Sequence, residues 1–103
     1  PTTYMTRMTS LLKDATYELY MAMQRLEDHP SVAAEHSQRA KALETRVESV
    51  YREAIADIFS GPEDVHHVFK MLKRREVLRH LSNAADRVDE AANLIADIVV
   101  KTN

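Results

Sequence analysis

Residues that interrupt helices occur at only three points in this chain of 103 residues: Pro1, Pro30 and the adjacent pair Gly61-Pro62. Proline cannot continue a helix beyond its first turn, and glycine is the usual residue just past a helix end. A single glycine also argues against the many tight turns of a β-sandwich or barrel. The chain is therefore divided into three long segments, and each of them is expected to be a helix.

The apolar residues of each segment recur every three or four positions, which predicts amphipathic helices over about 2–28, 31–60 and 62–101. The first stripe consists of Met5, Met8, Leu12, Ala15, Leu19, Ala22 and Leu26, widened by Leu11, Tyr20 and Met23. The second consists of His36, Ala40, Leu43, Val47, Val50, Ala54 and Ile58. The third and most regular consists of Leu78, Leu81, Ala85, Val88, Ala92, Ile95 and Val99.

The helix ends carry recognisable capping residues. Ser31 is the predicted N-cap of the second helix. Gly61 is the predicted residue just past its end, and Pro62 suits the first position of the third helix, with Ser60 or Gly61 as its cap. Short connections force consecutive helices to run antiparallel. The predicted fold is all-α: an elongated, spectrin-like up-down-up three-helix bundle in which residues 1–103 form one domain, with one end of the long third helix projecting.

Composition excludes several classes of function. The chain has no cysteine, so a thiolate zinc site and a cysteine nucleophile are ruled out. Its 14 basic and 16 acidic residues do not give the positive charge of a nucleic-acid-binding protein. No apolar run reaches the roughly 18–20 residues needed for membrane insertion. No Ser, His and Asp arrangement lies on a turn that would present a nucleophile, so the chain is not expected to be an enzyme.

Pairs of carboxylates one helical turn apart are the candidate metal ligands. Glu44 and Glu48 form such a pair on the second helix, and Asp86 and Glu90, with Asp89 beside them, form another on the third. Carboxylates at this spacing lie on one face of a helix and suit hard, oxygen-binding cations. The alternative is a solvated helix face, on which Lys41, Arg46 and Arg52 act as ion-pair partners of the two glutamates.

Two stretches resemble one known family. ALETRVESVYREAIADIFSG (42–61) and EVLRHLSNAADRVDEAANLIADIVVKTN (76–103) are similar to the helices of the PhoU-like phosphate transport regulators, in particular the Pit-accessory branch. The opening TTYMTRMTSLLKDAT is also similar to that family. The resemblance covers nearly the whole chain but only the C-terminal half of a typical member, which has two similar three-helix bundles. It implies that Pro1 is an internal cut and that this is the second bundle, and the alternative is a genuine half-length protein.

The resemblance implies a regulatory, non-catalytic role in inorganic phosphate transport, exerted through contacts with a phosphate transporter or its regulatory partner. It further implies a cytoplasmic location, peripheral at the inner face of the membrane, and pairing with a second bundle or another copy. Some family members hold iron or zinc on a carboxylate surface. The matching positions are Glu44, Glu48 and Asp86, supported by Asp89 or Glu90. Ser82 departs from the pattern because it stands where the family has a glutamate.

Other interpretations remain open at this point. One is a plain helical interaction or dimerisation module with neither a metal nor a phosphate role. Another is a di-iron enzyme, since Glu63 and His66 have the Glu-x-x-His spacing, although the chain has no second such motif. Finally, five basic residues form either a docking patch for an acidic partner, phosphate or membrane surface, or a solvated face paired with Glu76. They are Lys70, Lys73, Arg74, Arg75 and Arg79.

Overall fold

The computed structural model describes residues 3–59 and 65–102, which form three α-helices and, within those two ranges, no strand. Helix α1 spans Thr3–Arg25, α2 spans Pro30–Phe59 and α3 spans Val65–Thr102. The predicted all-α three-helix bundle is confirmed. Arg7 of α1 contacts Glu53 of α2, and Lys41 of α2 contacts Asn93 of α3, as antiparallel neighbours require.

The molecule is elongated, with extents of 58 × 19 × 15 Å. A helix of 38 residues, the length of α3, is about 57 Å long, so α3 runs the full length of the bundle. None of the three helices has a stretch that is both long and apolar enough to cross a membrane, as far as residues 3–59 and 65–102 are concerned.

The connection between α1 and α2 is longer than the sequence predicts, because residues 26–29 lie between the two helices instead of residues 29–30. We expected α1 to continue to Asp28, but it ends at Arg25, and the His29 amide donates a hydrogen bond to the Arg25 carbonyl at 2.8 Å. The prediction of Ser31 as N-cap is wrong. The His29 carbonyl accepts from the amides of Val32 and Ala33, which makes His29 the cap and Pro30 the first helical residue. Proline suits that position because its missing amide hydrogen has no partner there.

The predicted second connection involves residues 60–62. Gly61 and Pro62, with the proposed cap at Ser60 or Gly61, lie outside the described residues. The described part of α3 begins at Val65.

Buried positions repeat every seven residues on each helix, the spacing of a coiled-coil-like seam. The residues on these repeats are Met8, Ala15 and Ala22 of α1, Ala33, Ala40, Val47 and Ala54 of α2, and Leu78, Ala85, Ala92 and Val99 of α3. Most are alanines, which let the helix backbones approach closely. The larger residues at one end of the seam, among them Met8, Val47 and Leu78, form the main apolar cluster.

Three residues of the predicted stripes do not belong to the core. Tyr20 and Met23 were expected to widen the face of α1, but their exposed fractions are 57% and 67%. His36 was expected on the core face of α2, whereas the buried position there is its neighbour Ser37. The ring of His36 lies half-buried at the edge of the seam, and its Nδ1 is 2.6 Å from Oε2 of Glu18 on α1.

Candidate metal centre

Glu44 occupies a core position of α2. Its exposed fraction is 6%, although it is a carboxylate. The reason is its place in the heptad pattern: with Ser37 and Ile58 it lies on a second buried row, next to the alanine-rich one. At Glu44 this row lies next to α3, because an oxygen of Asp86 on α3 is within 4.8 Å of an oxygen of Glu44.

Two further carboxylates meet Glu44 at this interface. Glu48 lies one turn further along α2 and is half-buried, and Asp86 lies on α3 and is exposed. One carboxylate oxygen from each of Glu44, Glu48 and Asp86 can be chosen so that all three lie within 4.8 Å of one another. The three carboxylates therefore lie on two helices, with Glu44 buried, Glu48 half-buried and Asp86 exposed.

The environment of Glu44 disfavours its charged form. Burial is the largest cause, followed by the negative charges of Glu48 and Asp89, a hydrogen bond between the Glu44 and Glu48 side chains, and the charge of Asp86. Together they raise the pKa of Glu44 from 4.5 to about 7. The pKa of a carboxyl group rises when water is removed and when like charges lie nearby.

No cation of the protein offsets these charges within the part of the chain that the structure describes. The expected partners Lys41, Arg46 and Arg52 form no ion pair with Glu44 or Glu48 there. Lys41 instead donates a hydrogen bond from Nζ to Oδ1 of Asn93 at 2.7 Å. Asn93 in turn donates from Nδ2 to Oδ2 of Asp89 at 3.5 Å. The alternative of an ion-paired helix face therefore lacks its pairs in this region.

Three oxygen donors on two packed helices can hold a metal ion. Hard cations prefer carboxylate oxygens, and an ion there would neutralise the repulsion within the group. No histidine belongs to the group among the described residues, and the chain has no cysteine. Because Asp86 is exposed, an ion held by the three carboxylates would be reachable from the surface.

The structure brings three of the five predicted metal ligands together. Glu44, Glu48 and Asp86 come together, and Asp89 is near enough to raise the pKa of Glu44. Glu90 is exposed and does not belong to the group. Ser82, the position at which the family pattern has a glutamate, is half-buried one turn before Asp86. Glu63 of the Glu-x-x-His spacing lies outside the described residues.

The sequence pattern missed the burial of Glu44. The predicted stripe of α2 passes through His36 and Leu43 instead of their neighbours Ser37 and Glu44. Counting in sevens from Ile58 through Tyr51 reaches Glu44 and then Ser37, so the signal was present in the spacing.

The five basic residues near the start of α3 are all exposed. Arg79 forms a bidentate pair with Glu76, with Nη2 at 2.9 and 2.8 Å from the two carboxylate oxygens. The expected pairing with Glu76 is thus confirmed for Arg79.

Comparison with known proteins adds no relative. No family model matches the chain, and neither the curated proteins nor the solved structures contain a match.

Proposed function

We propose that this chain is a non-catalytic accessory protein of inorganic phosphate transport that acts through protein contacts and carries a metal ion on its carboxylate surface. The observation that carries the proposal is the buried Glu44 carboxylate with Glu48 and Asp86 beside it. These are the three positions at which the resemblance to PhoU-like regulators implies metal ligands. The regulatory role itself rests on that resemblance.

A metal ion gives a physical reason for keeping a carboxylate at a core position. Burying a charged group costs free energy unless the charge is compensated. Glu44 has no compensating cation from the protein within the described residues, and two more carboxylates lie against it. The resemblance implies iron or zinc. The group consists of carboxylate oxygens and lacks the sulfur and imidazole donors that most zinc sites have.

The exposed side of the group connects the metal with a regulatory role. Three carboxylates need not fill the coordination sphere of a divalent ion, so positions facing solvent remain for another ligand. A partner that supplies an oxygen ligand there would bind only the metal-loaded protein. The proposed partner is a phosphate transporter or its regulatory protein, at the cytoplasmic face of the membrane.

The metal part is tested by elemental analysis of protein purified from its native host. We expect near-stoichiometric iron or zinc in the wild type and in Glu90→Gln, a matched control on the exposed face of α3. We expect loss of the metal in the double variant Glu44→Gln, Asp86→Asn. Less than about a tenth of an equivalent in the wild type, unchanged by Glu44→Gln, would contradict metal binding.

The transport part is tested separately. A phosphate permease gene beside the gene for this chain, and phosphate uptake that changes when the gene is deleted, are the expected results. Consistent absence of both would favour the alternative of a helical interaction module.

Self-association, or pairing with a second bundle, is expected under either interpretation. A stable monomer of the isolated chain at tens of micromolar in sedimentation experiments would count against its self-association.

A further inference from the structure

The start of α3 differs in charge from the rest of the molecule. Residues 66–79, called the basic segment below, contain five basic residues and one acidic residue, a formal charge of +4. The whole chain has a formal charge of −2, so everything outside the basic segment carries −6. The positive charge is therefore concentrated at one end of an otherwise acidic molecule.

The helix register shows that much of the basic segment projects beyond α2. Lys41 and Asn93 are in contact and fix the alignment of the two antiparallel helices. Phe59, the last residue of α2, is 18 positions after Lys41, and Arg75 is 18 positions before Asn93. The part of α3 before about Arg75 therefore has no stretch of α2 beside it, since both helices rise equally per residue.

Exposure agrees with this register. Between residues 66 and 77 every side chain is exposed except those of His67 and Met71, which are half-buried. The basic residues Lys70, Lys73, Arg74 and Arg75 form no ion pair with a carboxylate in the described ranges. Four positive charges are therefore available to an external partner.

Apolar side chains are exposed among these charges. The exposed fractions are 62% for Phe69 and 50% for Leu72, and Val68 and Val77 are also exposed. At about 100° per residue, Val68, Leu72 and Phe69 fall within an arc of about 100°, with Lys73 at one edge and Arg75 at the other. The paired Glu76 and Arg79 lie in the same arc, further from the helix start. Val68, Leu72 and Phe69 form an apolar strip that has basic residues on both sides.

We propose that the basic segment binds the surface of an anionic lipid membrane, with Phe69 and Leu72 entering the interface and the lysines and arginines contacting the headgroups. Basic residues beside apolar ones on a surface helix are typical of interfacial binding, because the long basic side chains reach the headgroups while the apolar ones are buried. This role is independent of the carboxylate group and goes beyond the proposed function.

The distribution of charge favours a membrane over an acidic protein helix. The basic residues cover both sides of the apolar strip, whereas a single partner helix would contact one narrow stripe. A headgroup layer surrounds an embedded helix on both sides and matches that distribution. The position at one end of a 58 Å molecule also lets the basic segment reach a plane while the acidic remainder stays away from it.

Binding can be followed with a fluorescent reporter because the chain has no tryptophan. We suggest Phe69→Trp as the reporter and Tyr17→Trp, an exposed position on α1, as its matched control. With vesicles of phosphatidylcholine and phosphatidylglycerol, the Phe69→Trp emission should shift to the blue, and the Tyr17→Trp emission should not. With phosphatidylcholine alone, or in molar salt, the shift should be lost because the headgroup attraction is absent or screened.

Charge-reversal variants test the residues involved by vesicle sedimentation. Reversal of Lys70, Lys73 and Arg74 to glutamate should lower partitioning at least about a hundredfold, at roughly fivefold for each basic residue. Reversal of Lys13, Arg25 and Arg46, which makes the same change in net charge elsewhere, should lower it far less. Circular dichroism checks that both variants remain helical.

Three results would overturn the proposal. The first is no binding of the wild type to anionic vesicles. The second is binding that is equal for neutral vesicles and insensitive to salt. The third is retention of polyglutamate with no binding to vesicles, which would assign the basic segment to an acidic protein instead.

Discussion

Glu44 and Glu48 lie one turn apart on α2, and one carboxylate oxygen of Glu44 lies within 4.8 Å of one carboxylate oxygen of Glu48. Burial and the neighbouring negative charges raise the pKa of Glu44 to about 7, so this carboxylate takes up a proton more readily than an ordinary one. The group can thus be neutralised either by a proton or by a metal ion, and the two should compete.

The stability of the metal-free protein should fall as the pH rises from about 4.5 to about 7. The folded-state pKa of Glu44 is raised above the unfolded value, so in this window the folded state binds more protons than the unfolded state. Above about 7 the full cost of the buried charge is present, up to about 3 kcal/mol in the free energy of unfolding. Urea unfolding with chelator present, at pH values from 5 to 8, measures this change in the free energy of unfolding.

Glu44→Gln identifies the group responsible. This variant cannot ionise, so its unfolding free energy should change less with pH than that of the wild type. Glu90→Gln, which removes an exposed carboxylate outside the group, should follow the wild-type curve. Parallel curves for the wild type and Glu44→Gln would show that Glu44 titrates normally.

Ser82→Glu should strengthen metal binding. Ser82 lies one turn before Asp86 on α3, so a glutamate there would supply a fourth carboxylate to the group. We expect a gain of about tenfold in affinity, the scale on which single ligand-sphere changes act. Asn83→Glu adds the same charge in another direction, and titration calorimetry should find it without effect. Equal affinities for the two variants would place Ser82 outside the reach of the ion.

The sequence predicts the fold well because the helix breakers and the three-four spacing are local signals. It predicts the carboxylates that come together, Glu44, Glu48 and Asp86, but not the burial of Glu44. A polar residue in a heptad row is buried only when the neighbouring helix is placed over it, and that placement depends on the register of α2 against α3. The exposure of Tyr20 and Met23 has the same origin. An apolar residue at the edge of a stripe becomes core only where a neighbouring helix covers it.

Helix ends were predicted less accurately than helix interiors. Serine is a common cap, which is why the sequence favours Ser31. The prediction is wrong because Pro30 takes the first helical position, so the preceding residue His29 is the cap, two residues before Ser31.

Glu18→Gln should destabilise the bundle more than Glu53→Gln. Glu18 Oε2 contacts His36 Nδ1 at 2.6 Å and Arg39 Nε at 3.4 Å, and it is largely shielded from water. Glu53 contacts Arg7 at 3.2 Å in an exposed pair. We expect losses of about 1 kcal/mol for Glu18→Gln and under about 0.5 kcal/mol for Glu53→Gln. Urea unfolding at neutral pH compares them, and equal losses would contradict the special role of Glu18.

Ala40→Leu should destabilise the bundle by about 1–3 kcal/mol, because Ala40 is fully buried where α2 meets its neighbours and a larger side chain would force the helices apart. Ala42→Leu makes the same change two positions away at an exposed site, where it should be nearly neutral. Urea unfolding of both variants measures the difference. If Ala40→Leu causes no loss of stability, the close packing of the alanine-rich row does not determine the distance between the helices.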